Sequence, residues 1–189
     1  MRFLDRGERV PADVLARADL PRGEKVLAHT VANDGTWLLG TRLRLVVVED
    51  PGSDSAHAVT QIPWETVEDV AWEQEESRLR VTETGQYGEP RPIHSFAVHD
   101  PALLQLIRER VTASIVLQRW VPVRGKQGLT VIGRRSPVGG PVAWMHAYDE
   151  GLDPTDPEVV AVADRALAQA QVEVGEPADG SVLGGNSSI

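Results

Sequence analysis

The sequence predicts an α+β fold: an antiparallel β-sandwich or barrel of about seven strands capped by a helix, extended by a C-terminal β-hairpin and a second helix. Three observations lead there. Between residues 24 and 99 apolar residues recur with a period near two, interrupted by turn-forming clusters, as strands with one buried face require. At Asp100-Pro101 the period lengthens to that of an amphipathic helix. Beyond residue 114, β-branched segments flank a Gly/Pro turn, and a second helical pattern opens at Asp156-Pro157.

Residues 11–20, PADVLARADL, predict a short helix with Pro11 at its first position, Val14, Leu15 and Ala18 on one face, and Pro21 as its stop. EKVLAHTVA (24–32) alternates and runs into Asn33-Asp34-Gly35, a hairpin turn signal. TWLLGT (36–41) and RLRLVVV (42–48) follow, then a polar loop, EDPGSDS, over 49–55. HAVTQI (57–62) is a strand closed by Pro63, and TVEDVAW (66–72) places Val67, Val70 and Trp72 at its apolar positions. SRLRVTE (77–83) alternates most cleanly: Leu79 and Val81 point one way, Arg78, Arg80 and Thr82 the other. After the loop TGQYGEPRP (84–92), IHSFAVH (93–99) makes the seventh strand.

Asp100 then serves as N-cap with Pro101 at the first helical position. Leu103, Ile107 and Val111 form the stripe, with Leu104 and Ile115 beside it. Its end is ambiguous, because SIVLQRWVPV (114–123) is β-branched enough to be a strand already. LTVIGRR (129–135) and VAWMHAY (142–148) flank the turn SPVGGP. Asp156 caps the last helix, whose buried face is Val159, Val160, Ala163, Ala166, Leu167 and Ala170, and Gly175 ends it. The expected organisation is a body over 1–118, a hairpin-plus-helix extension packing on it over 119–175, and a disordered small-residue tail over 176–189.

The local wording of the body is similar to a known family. GTWLLGTRLRLVVV resembles the segment of bacterial pleckstrin-homology-like and GRAM-like domains in which a strand ends in Thr-x-x-Arg-Leu and another apolar strand follows. IPWETVEDVAWEQEESRLRVTE resembles the next stretch there, where an Ile-Pro pair leads into a Val-x-x-Val strand and a hairpin. The resemblance covers about residues 20–117; the remainder looks like an extension seen in uncharacterised actinobacterial proteins of similar length. It implies a fold that binds peptides, proteins or lipid headgroups, usually without catalysis. Phosphoinositide-binding members carry a basic cluster between their first two strands. Here that turn is the acidic Asn33-Asp34-Gly35, so lipid binding does not carry over.

Composition narrows the chemistry. The absence of cysteine removes disulfides, thiolate catalysis and cysteine-ligated metal sites, and fits a reducing, cytoplasmic compartment. The N-terminus has charges where a signal peptide needs an apolar run, and no apolar run approaches the roughly 20 residues that span a bilayer. The net charge of −9 disfavours nucleic acid and anionic lipid as partners. The charge is uneven, however. Residues 111–148 hold Arg119, Arg124, Lys126, Arg134 and Arg135 and no acid, whereas residues 65–89 hold eight acids against Arg78 and Arg80.

Sites for catalysis are harder to find. His29, His57, His94, His99 and His146 lack metal-ligand spacing; His94 and His99 are five apart on a strand and so face opposite ways. No serine elbow, dinucleotide fingerprint or phosphate loop is present, and GEKV (23–26) and RGKQG (124–128) read as turns. Glu73, Glu75 and Glu76 belong to a solvated turn, and DEGLDPTDPE (149–158) has prolines and spacing that a calcium loop forbids. Five tryptophans against two phenylalanines is unusual, and Trp120 and Trp144 lie in the acid-free stretch. The candidate binding set is therefore Arg119, Trp120, Arg124, Lys126, Arg134, Arg135 and Trp144, with no catalytic residue, cofactor or metal. The expected function is a non-catalytic interaction module for a protein partner or a second copy of itself. Single-stranded nucleic acid or an anion on the basic 119–135 segment is the alternative, and an enzyme with an unrecognised site the remaining class.

Overall fold

The computed structural model describes residues 9–50, 59–84, 91–98, 100–175 and 186–188. The chain is α+β, with three sheets and three helices among the described residues. Helix α1 (Ala12–Ala18) precedes the antiparallel sheet β1 (Val26–Val31), β2 (Trp37–Thr41), β3 (Arg44–Val48), β4 (Val59–Pro63), in that spatial order. A 3₁₀ turn at Trp64–Thr66 leads into the second antiparallel sheet, β5 (Val67–Glu73), β6 (Arg78–Glu83), β7 (Ile93–Ala97). Helix α2 (Pro101–Ser114) runs directly into β8 (Ile115–Arg124), which forms the third sheet with β9 (Gln127–Arg134) and β10 (Ala143–Tyr148). Helix α3 (Pro157–Val174) covers that sheet, and a short strand β11 (Asn186–Ser188) pairs in parallel with β10. The predicted seven-strand body is thus split four and three. The rest of the predicted tail lies outside the described residues.

The caps sit where the sequence put them. Asp100 Oδ1 accepts from the amides of Ala102 (2.7 Å) and Leu103 (3.4 Å), with Pro101 beside them. Asp156 accepts from the amide of Glu158 at 2.9 Å, and Gly175 closes α3 in the left-handed region, at φ 77°. Helix α1 differs from expectation. Pro11 is its N-cap, and Asp19 adopts φ 45°, so the helix stops before Pro21 can act. Leu15 and Val160, expected on buried faces, are both 40% exposed.

Two cores share the first sheet. Leu38, Leu45, Val47 and Ile62 face the β5–β7 sheet and α2, where they meet Trp64, Leu79, Val81, Leu103 and Ile107. Leu39, Val46 and Val48 face the other way, against Val14 and Ala18 of α1. Burial on both faces is why WLLGT and RLVVV read as continuous apolar runs instead of alternating. A third core lies between α3 and the last sheet, built on Leu129, Val131, Trp144, Tyr148, Val159, Ala163 and Leu167. The ambiguity near residue 114 resolves at Ser114–Ile115: the helix ends and the long strand starts with no connecting loop.

Candidate functional site

Strand β8 alternates strictly between half-buried and exposed residues. Leu117, Val121 and Val123 pack toward α3, while Val116, Gln118, Trp120 and Pro122 face outward. Trp120 is 48% exposed and Val116 41%, four residues apart on one face. The indole is nevertheless held. Its Nε1 donates to Asp149 Oδ2 at 3.3 Å, and the same oxygen accepts from the Gly128 amide at 2.7 Å. Gly128 supplies the room: a Cβ there would lie 2.5 Å from Trp120 Cε2. Among the described residues β8 is also the edge of its sheet, hydrogen-bonded only to β9.

The structure separates the seven predicted residues. Trp144 is fully buried in the core under α3, so it is no surface anchor. Arg134 is 5% exposed, and its Nη1 donates to Val111 O and Ser114 Oγ, both at 3.0 Å. It is a structural cation at the end of α2, because strand alternation turns it inward under the helix terminus. Arg119 pairs with Glu173, and Arg124 with Asp156 (2.9 Å) and Glu158, all three acids lying on or capping α3. The hydrogen bonds that Arg124 donates to Glu158 and, second, to Asp156 raise its pKa. Arg135 donates its amide to Ser114 O at 2.8 Å. Lys126 is exposed in the β8–β9 turn. The acid-free stretch is therefore not a basic surface; α3 and its cap supply carboxylates for Arg119 and Arg124. Of the set, Trp120 remains as the outward anchor. Asp149, which holds the indole, and Val116, exposed on the same strand face, lie outside the set, although the alternation of 114–123 puts Val116 on the face of Trp120.

The histidines do not converge. His57 and His99 lie outside the described residues. His94 is hydrogen-bonded to Glu83 at 2.8 Å, and His29 stacks near Trp37 with centroids 6.1 Å apart. Among the described residues no three His, Asp or Glu side chains are grouped as a metal site would need. Glu73 and Glu76 pair loosely with Arg80 (3.8 Å) and Arg78 (3.1 Å) on exposed sheet surface. Asp153 accepts from both the amide and hydroxyl of Thr155, which makes its segment a turn.

His146 is different in kind. It lies on β10 beside Ala163 and Asp164 of α3, and its Nε2 is buried with no hydrogen-bond partner among the described residues. Burial holds its pKa below the ordinary histidine value, against the opposing pull of Asp164. The folded state therefore binds this proton less readily than the unfolded chain. The stability this neutral ring permits is present above the ordinary histidine pKa and is lost as pH falls through the folded value. Urea midpoints measured between pH 7 and 5 should fall less steeply in His146→Phe than in wild type. Parallel profiles would refute the assignment.

No protein-family model matches the chain, nor does any curated protein or solved structure. Among the described residues, no helix is long and apolar enough to cross a membrane.

Proposed function

We propose that this chain is a non-catalytic protein-interaction module whose contact surface is the outward face and free edge of β8. The carrying observation is Trp120, half exposed yet fixed by Asp149 and Gly128. A preordered aromatic that loses little conformational freedom on association is the usual anchor of a protein interface. Val116 adds a second exposed apolar side chain on the same face, beyond Gln118, and the edge of this ten-residue strand, unpaired among the described residues, offers backbone groups to an extended partner segment or to the same strand of a second copy. Pro122 and the paired Arg124 guard one end of that edge, which limits pairing to the Val116–Trp120 portion.

The four-plus-three arrangement of β1–β7 closed by α2 supports a pleckstrin-homology-like reading of the body, in keeping with a binding role. The single-stranded nucleic-acid alternative loses its motivation, since Arg119 and Arg124 already face carboxylates and Arg134 is buried. Sedimentation velocity over a concentration series, together with affinity capture from native extract, tests the proposal. Trp120→Glu should abolish self-association or the loss-prone captured partners while leaving the melting temperature within a few degrees. A variant that associates and captures as wild type does would overturn it.

A further inference from the structure

A cavity of about 370 Å³ opens at the end of the first sheet opposite the Asn33-Asp34-Gly35 turn. Three stretches far apart in sequence form it: the segment leading into β1, the β2–β3 turn and the β9–β10 loop. Leu27, Leu43 and Val138 give it an apolar wall. Leu27 and Val138 are 51% and 66% exposed, a high cost in free apolar surface for two large side chains brought to one place. The loop is fixed there, because Arg42 Nη2 donates to Pro137 O at 3.2 Å.

The charge around this wall is one-sided. Arg22, Lys25 and Arg42 all line the cavity and are exposed. Arg22 and Lys25 have no hydrogen bond or ion pair among the described residues, and Arg42 bonds only to a neutral carbonyl. The one acid of the lining, Glu24, is engaged elsewhere. Its Oε1 accepts from Thr41 Oγ1 at 2.5 Å and faces Arg44 Nε at 3.3 Å, with a side chain only 4% exposed. In a chain of net charge −9, three uncompensated cations around an apolar hollow are not a solvated average surface.

We propose that this cavity binds a small amphiphilic anion, an aliphatic carboxylate or phosphate monoester, with its head among Arg22, Lys25 and Arg42 and its chain against Leu27, Leu43 and Val138. The size suits such a ligand, since small-molecule sites begin at roughly 300 Å³ and combine apolar walls with a few placed polar groups. Guanidinium and ammonium donors form charge-assisted hydrogen bonds to either head group. The cavity shares no residue with the β8 surface, so the two readings stand or fall separately.

Isothermal titration with dodecanoate, dodecyl phosphate, dodecanol and inorganic phosphate tests this on the full chain. Both dodecyl anions should bind, with affinity falling as salt rises. Dodecanol and inorganic phosphate should each bind at least about tenfold more weakly, because each lacks one half of the recognition. Lys25→Gln with Arg42→Gln should weaken dodecanoate about tenfold or more, and Val138→Asp should do likewise through the wall. Arg165→Gln, which removes an exposed cation from α3, should bind as wild type. Co-sedimentation with phosphatidate-containing vesicles fixes the source: capture there places the anion in a membrane, and its absence with binding of free dodecyl anions places it in solution. No heat with either dodecyl anion, or losses of equal size in Arg165→Gln, would overturn the proposal.

Discussion

Arg134→Ala should lower the unfolding free energy by about 3 kcal/mol, the order found when one member of a buried polar cluster is removed. The guanidinium is the donor on which the end of α2 depends. Val111 O accepts from Arg134 Nη1 and also from Ser114 Oγ (2.7 Å), and Ser114 Oγ in turn accepts from Nη1. This is a cation at a helix C-terminus, where the dipole favours it, in a place where water cannot substitute. Glu68 of β5 adds a second consequence. Its pKa is raised by burial, with Arg91 at 3.2 Å and Arg134 acting to lower it. Removing Arg134 takes away part of that counter-charge and raises the folded-state pKa of Glu68 further. A raised carboxyl contributes stability that is present below its unfolded value and is lost as pH rises through the folded one. The gap between variant and wild type should therefore be widest near neutrality and narrow as pH falls toward 4. Arg134→Lys should lie between the two, since it keeps the charge and loses the forked donor. Urea titrations at pH 7 and 4.5 decide it; an unchanged midpoint in Arg134→Ala would remove this residue from the list of structural cations.

That a candidate surface arginine is in fact a helix cap marks where sequence reading stops. The strands, both Asp-Pro caps and the Gly175 stop were legible because each rests on local chemistry: a period, a side chain that reaches an amide two residues on, a residue free to take a positive φ. The roles of the arginines depend on distant partners. Arg119 meets Glu173 and Arg124 meets Asp156 only once α3 folds back over β8, and nothing near Arg119 or Arg124 announces it. Trp120 and Trp144 illustrate the same limit. Both sit in strands of one sheet, yet one faces solvent and the other α3, because a strand's two faces are equivalent until something covers one of them. The cationic cavity was invisible for a related reason. Lys25 lies in GEKV (23–26), which reads as a turn, and its neighbours Arg42 and Val138 come from other parts of the chain.

Trp144→Ala should cost about 3–5 kcal/mol, the range for truncating a buried large aromatic. The indole is wholly inaccessible and forms the centre of the core between the third sheet and α3. Gly133, opposite it on β9, is what admits the ring: a Cβ there would stand 2.8 Å from Trp144 Cζ3 and 3.0 Å from Val142 Cγ1. Gly133→Ala alone should thus destabilise, since the ring is hemmed in and cannot retreat. In the double variant the added methyl occupies space the indole has left, so the two losses should sum to less than their separate values, a coupling of about 1 kcal/mol or more. The damage should also be regional. The cluster around Trp144 contains no residue of β1–β7, whose core gathers on Trp64, Leu79 and Leu103. Hydrogen exchange in Trp144→Ala should accelerate across α3 and β8–β10 while the amides of β2, β3 and β6 keep their protection. If protection falls equally everywhere, the two cores unfold as one cooperative unit. The Arg134 link between α2 and β9 would then transmit the loss of α3 to the first sheets, and the Arg134→Ala variant should show the converse, exposing β8–β10 before β1–β7.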